Sequence, residues 1–144
     1  MLRFALQPPL DEQAFARDLA GWEAYQRLAG PFLLSAARQG SPVAAYHLSL
    51  AYSGFPMPGG SEIVPSDTIR AVAFGLVAMD YVDGQDRSRL QARLDRLSAG
   101  LAPGGVSAAQ ASARDLASDH FQGDGGQFDL DANPIPADPV DCGR

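Results

Sequence analysis

Lysine is absent from this chain of 144 residues, and all eleven basic side chains are arginines, which we read as a composition bias rather than as mechanism. Seventeen acidic residues outweigh them, leaving a formal net charge of −6 and a pI near 4.6. That balance argues against nucleic-acid binding, which needs a clustered basic face. Cysteine is nearly absent too: Cys142 alone can form no intrachain disulfide and no thiolate metal cluster. The two histidines, His47 and His120, stand in no metal-binding spacing such as H-E-x-x-H. No apolar run approaches the ~20 residues that span a bilayer. The first ten residues carry one Arg and too short an apolar core for a signal peptide, so the chain as written is expected to be soluble, cytoplasmic and free of membrane. Phosphate-cradling Gly-rich loops followed by Lys, dinucleotide fingerprints and G-x-S-x-G elbows are also missing.

What is there is helical periodicity. A chain of this length makes one domain, burying roughly 70% of the surface its unfolded form would expose. Residues 1–10 read as an extended lead, because Pro8-Pro9 forbids a helix. Asp11 caps a first expected helix, with Phe15, Leu19, Trp22 and Tyr25 on one face and Gly30 as its end. Pro31 opens a second, stopped by Gly40. Ser41 and Pro42 open a third, carrying Ala44, Ala45, Leu48, Ala51 and Tyr52 and ended by Gly54.

Three Pro and three Gly make residues 54–66 a loop. Ser66 or Asp67 then caps a fourth helix with the stripe Ile69, Val72, Ala73, Leu76 and Val77. A fifth is expected from Asp86, with Leu90, Leu94 and Leu97 on one face and Arg89, Arg93 and Arg96 on another. Ser107 to Gln110 matches a capping box and opens a sixth, rich in alanine, that runs to about Asp119. Residues 120–144 hold five Asp, one Arg, four Gly and three Pro, and are expected to form a flexible or loosely docked acidic tail.

The series Gly40, Ala44, Tyr46, Leu48, Tyr52, Gly54, Asp67, Ala71, Phe74 and Ala78, preceded by Ala29, Phe32, Ala36 and Ala37, resembles the Sel1-like repeat family, a relative of the tetratricopeptide repeat. Small residues in such a unit let two helices approach closely, while Leu and aromatics fill the remaining space. Ser49 stands where the family usually has Gly, the loop before Asp67 is longer than usual, and no clean unit follows Ala78. The resemblance implies an all-α fold over residues 11–119: a short right-handed solenoid of about six helices in antiparallel pairs, the last ones closing the apolar end.

It also implies function by binding. Family members act mostly as adaptors, scaffolds or regulators that hold a partner protein on the concave side, without catalysis or a cofactor. Carried over, Val43, Tyr46, Leu50 and Ser53 face the groove; Tyr46 is equally a packing position. Trp22 and Tyr25 on the neighbouring helix are either binding anchors or core. The long loop displays Phe55, Met57, Ile63 and Val64, or folds them back over the helices. The three arginines of the fifth helix form a solvated face, or grip an acidic partner or the tail. Asp115, Asp119 and His120 read as a polar helix end rather than a cation site, and Asp129 to Asn133 lacks the Gly and the Glu of a calcium loop.

An inhibitor or immunity-type partner is the sharper form of this expectation, its acidity speeding the search for a basic target. A self-associating subunit, such as a homodimer that buries an apolar end face, is an alternative. A hydrolase built around His47 with Asp67 or Asp80 is another, though no nucleophile motif supports it.

Overall fold

The computed structural model describes residues 19–55, 62–122 and 127–128. Among these the chain is all-helical, with five helices and no strand: α1 (Leu19–Arg38), α2 (Pro42–Tyr52), α3 (Thr68–Met79), α4 (Gly84–Ala99) and α5 (Gly105–His120). The expected lead over 1–10, the Asp11 cap, Met57 and most of the tail lie outside the described residues.

The boundaries of α2 and α3 follow from local chemistry. Ser41 takes an extended conformation and its Oγ accepts the Ala44 N–H at 3.2 Å, while Pro42 fills the first position, where no N–H is needed. Asp67 does the same for α3, its Oδ1 accepting the Arg70 N–H at 3.1 Å. Gly40 and Gly54 turn the chain at φ +84° and +76°, the left-handed region that favours glycine.

These two helices form the centre of the domain. Nine of the eleven residues of α2 and eight of the twelve of α3 are buried, so both are covered on nearly every side. The expected one-sided stripe on α3 is therefore too narrow; Ala71, Phe74, Gly75 and Ala78 are buried as well, while Ile69 of that stripe is exposed. Small residues set the close crossing of α2 on α3. Ser49, buried there, donates its hydroxyl to the Ala71 carbonyl at 2.6 Å, and Tyr52 stacks on Phe74 with ring centroids 5.9 Å apart and planes 4° from parallel.

Around this pair, α5 and α4 both pack on α3, and α1 packs on α2 with a smaller contact to α5. Leu90 and Leu94 of α4 are fully buried and Leu97 half-buried, as expected; each fully buried leucine contributes roughly 1.5–3 kcal/mol. Arg87 ties α4 to the end of α3 by donating to the Met79 carbonyl at 2.9 Å.

Three expected boundaries are corrected. The break at Gly30–Pro31 is absent, and α1 runs through Pro31. Tyr25, Ala29, Leu33 and Ala37 recur at four-residue intervals and are all buried, so the apolar stripe stays in phase only if the helix continues. Gly30 serves close approach instead of termination: a Cβ there would overlap the Ile63 carbonyl oxygen and lie 3.2 Å from Val64 Cγ1. The helix expected from Asp86 begins at Gly84 after Asp83, placing Asp86 in its first turn. The helix expected from Ser107 begins at Gly105, with Gly104 at φ +88° supplying the turn and Ser107 lying inside.

Candidate partner-binding face

Val43, Tyr46, Leu50 and Ser53 share one face of α2, and the structure covers most of it. Tyr46 is 0% exposed and Leu50 is buried; Val43 and Ser53 are half-buried. Tyr25 of α1 is fully buried, and that burial pushes its phenol up to about 12. Trp22 lies on α1, its side chain outside the described set. Phe55, Ile63 and Val64 fold back over the helices and are buried.

Two elements do the covering. The first is Arg93 of α4, whose guanidinium lies 5.1 Å from the Phe55 ring centroid and donates from Nη2 to Ser53 Oγ at 2.8 Å. Ser53 in turn donates to the Leu50 carbonyl at 2.7 Å, so its hydroxyl is used in both directions. The expectation of a solvated arginine face fails at Arg93. Arg89 instead pairs with Asp86 across one turn at 3.5 Å, the arginine half exposed.

The second is the chain beyond α5. Tyr81, in the turn after α3, donates its hydroxyl to the Phe121 carbonyl at 3.2 Å, and the two rings lie 6.2 Å apart. The backbone N–H of Phe128 donates to the Tyr81 carbonyl at 3.0 Å. Tyr81 thus holds both Phe121 and Phe128, and the Phe128 ring reaches Tyr46 at 5.9 Å between centroids, tilted by 48°. Neither Tyr81 nor Phe128 was singled out in the sequence. The available signal was two phenylalanines, Phe121 and Phe128, bracketing six residues that are all Gln, Gly or Asp.

Two buried polar groups sit under this face without hydrogen-bond partners: Tyr46 OH and His47 Nε2. Burial raises the Tyr46 phenol well above its usual range, with Arg93 and Arg89 opposing the shift and Asp86 adding to it. His47, edge-on to Tyr46 at 5.2 Å, is lowered to about 4 by burial. No carboxylate contributes to that shift, so His47 is a neutral core side chain at pH 7. Asp67 is engaged at the α3 cap and with Arg70, and Asp80 is exposed at the other end of α3. Among the described residues no group of three His, Cys, Asp or Glu side chains could hold a metal ion. No helix among them is long and apolar enough to cross a membrane.

Two clefts open elsewhere. One, of about 350 Å³, runs between α3 and α5 with Asp80 and Arg114 among its lining residues. The other, of about 210 Å³, lies between α1, α3 and α5 and is lined by Arg38, Arg70 and His120. No known family model, curated protein or solved structure matches the chain.

Proposed function

We propose that this protein is a helical interaction module, an adaptor or regulator that takes up an extended, aromatic-bearing segment of a partner protein on the face formed by α2 and Tyr81. The observation that carries the reading is Phe128: its backbone N–H donates to the Tyr81 carbonyl and its ring lies against Tyr46. A surface that accepts one such segment in cis has the chemistry to accept another in trans, a backbone acceptor beside an aromatic floor. The Sel1-like spacing of Gly40 to Ala78 supports the same reading, with α2 in the place of a groove-lining first helix within a solenoid. Under this proposal Tyr46 is the floor of the site, reached once Phe128 leaves. An inhibitor or immunity-type role is the sharper form of the proposal and accords with the net charge of −6.

The test uses the Phe128→Ala protein and a labelled synthetic peptide of residues 121–132, followed by fluorescence anisotropy. Saturable binding, lost when the peptide's own Phe128 is replaced by Ala, is the expected result. Absence of binding, or binding indifferent to that phenylalanine, overturns the proposal.

A further inference from the structure

The cleft between α1, α3 and α5 shares no residue with the Phe128 face and has a different character. In a chain of net charge −6 it gathers two arginines and a histidine from three helices: Arg38 in the last turn of α1, Arg70 in the first turn of α3, and His120 at the end of α5. No carboxylate lines it. We infer that it binds a small organic carboxylate, with Arg38 and Arg70 on the carboxyl group and Leu34, Phe74 and Leu116 against an apolar body.

The arginines differ in how they are held. The guanidinium of Arg70 lies 5.6 Å from the Tyr52 ring centroid and donates from Nη1 to Tyr52 OH at 3.3 Å. Its Nε faces Asp67 Oδ2 at 3.5 Å. Two sides of the fork are therefore fixed by the protein, and Nη2 forms no hydrogen bond among the described residues. Arg38 forms no hydrogen bond or ion pair among them. An oriented guanidinium and an unengaged one across a cleft of this kind suit a carboxylate, whose two oxygens match planar N–H donors.

The helix ends that bear Arg38 and His120 are packed closely together. The turn between α1 and α2 seats on the end of α5 so closely that a Cβ on Gly40 would stand 2.7 Å from the His120 carbonyl oxygen. That contact brings the helix ends bearing Arg38 and His120 together at the cleft. The cavity of about 210 Å³ falls below the ~300–1,000 Å³ of pockets for drug-sized ligands, so its occupant is small. Leu34, Ala37 and Leu116 form the apolar part of its lining, together with what the stacked and largely buried Tyr52 and Phe74 rings leave accessible.

The experiment titrates the full chain with sodium benzoate, with benzamide and inorganic phosphate as parallel probes and equal sodium chloride as the ionic control. The readout is the arginine Nε–H resonances in ¹⁵N-resolved spectra. The inference predicts saturable millimolar binding of benzoate that shifts Arg38 and Arg70, and weaker binding of benzamide and phosphate. Arg38→Gln should weaken benzoate by about tenfold or more with little change in the thermal midpoint, because the exposed Arg38 side chain forms no hydrogen bond or ion pair among the described residues. Four outcomes overturn it: no saturable shift, equal binding of benzamide, tighter binding of phosphate, or undiminished affinity in Arg38→Gln. All four are independent of whether the peptide of residues 121–132 binds.

Discussion

Gly75 sits in the middle of α3 where α2 and α4 both press against it, and its replacement by Ala gives a sharp test of that packing. In an exposed helix the change would stabilise by about 0.5–1 kcal/mol, because glycine loses the most backbone entropy on folding. Here a Cβ would overlap Leu94 Cδ2 and stand 2.9 Å from Ser49 Oγ, which is held by its bond to the Ala71 carbonyl. Leu94 is 2% exposed and has no open side to retreat to. Overpacking of this kind costs about 1–3 kcal/mol, so Gly75→Ala should be net destabilising by about 1–2 kcal/mol. Leu94→Ala alone should cost about 2–5 kcal/mol through lost burial and the void left behind. In the double variant the overlap is gone, the new methyl group fills part of the void, and the helix-propensity gain is realised. The double variant should therefore be more stable than Leu94→Ala alone, with a coupling of about 2 kcal/mol, within the range seen for residues in direct contact. Urea unfolding followed by far-ultraviolet circular dichroism measures all four corners of the cycle. Additivity of the two changes within about 0.5 kcal/mol would refute the claim that α4 closes on α3 through this pair.

Two further outcomes follow from other parts of the fold. His47 is neutral when folded, with its pKa lowered from 6.5 to about 4, whereas in the unfolded chain it takes up a proton below 6.5; stability contributed by the neutral form is thus complete above pH 6.5 and lost as pH falls towards 4. The full loss is on the order of 3 kcal/mol at about 1.4 kcal/mol per unit, and a His47→Leu variant should show a flatter pH profile of urea midpoints across that window. Pro31 is exposed inside a continuous α1, so Pro31→Ala should restore a backbone hydrogen bond and raise stability by about 1–2 kcal/mol after allowing for the freer unfolded chain; a neutral result in thermal unfolding would mean that the helix is interrupted there.

Where local chemistry decides, the fold was legible in the sequence. Ser41 with Pro42 and Asp67 announced the starts of α2 and α3 because a capping side chain acts within three residues of itself. Leu90, Leu94 and Leu97 revealed the buried face of α4 by spacing alone. Gly30–Pro31 misled because the same two residues serve helix ends and close approaches, and only the distant Ile63 carbonyl shows which applies. Asp86 and Ser107 failed as caps because the helices start a few residues earlier at glycines, Gly84 and Gly105.

The candidate face was half legible. Tyr46, Leu50 and Tyr25 are packing positions as much as binding positions, and periodicity cannot separate the two. What covers Tyr46 is a long-range contact from Phe128, and no spacing within α2 could have revealed it. The basic cleft is likewise assembled from residues on three helices, each unremarkable in its own segment.

The most direct test of the account compares one peptide on two proteins. A tethered segment competes with an effective concentration on the order of millimolar, so the chain's own Phe128 should oppose any segment binding the same place. Titrating the labelled peptide of residues 121–132 against the wild-type chain and against Phe128→Ala measures that competition. The account predicts clearly tighter binding to Phe128→Ala, by the factor that the displaced cis segment imposes, with both proteins folded by circular dichroism. Equal affinities, or no binding to either protein, would contradict the claim that the Tyr46–Tyr81 face is a segment-binding site that the chain occupies with its own Phe128.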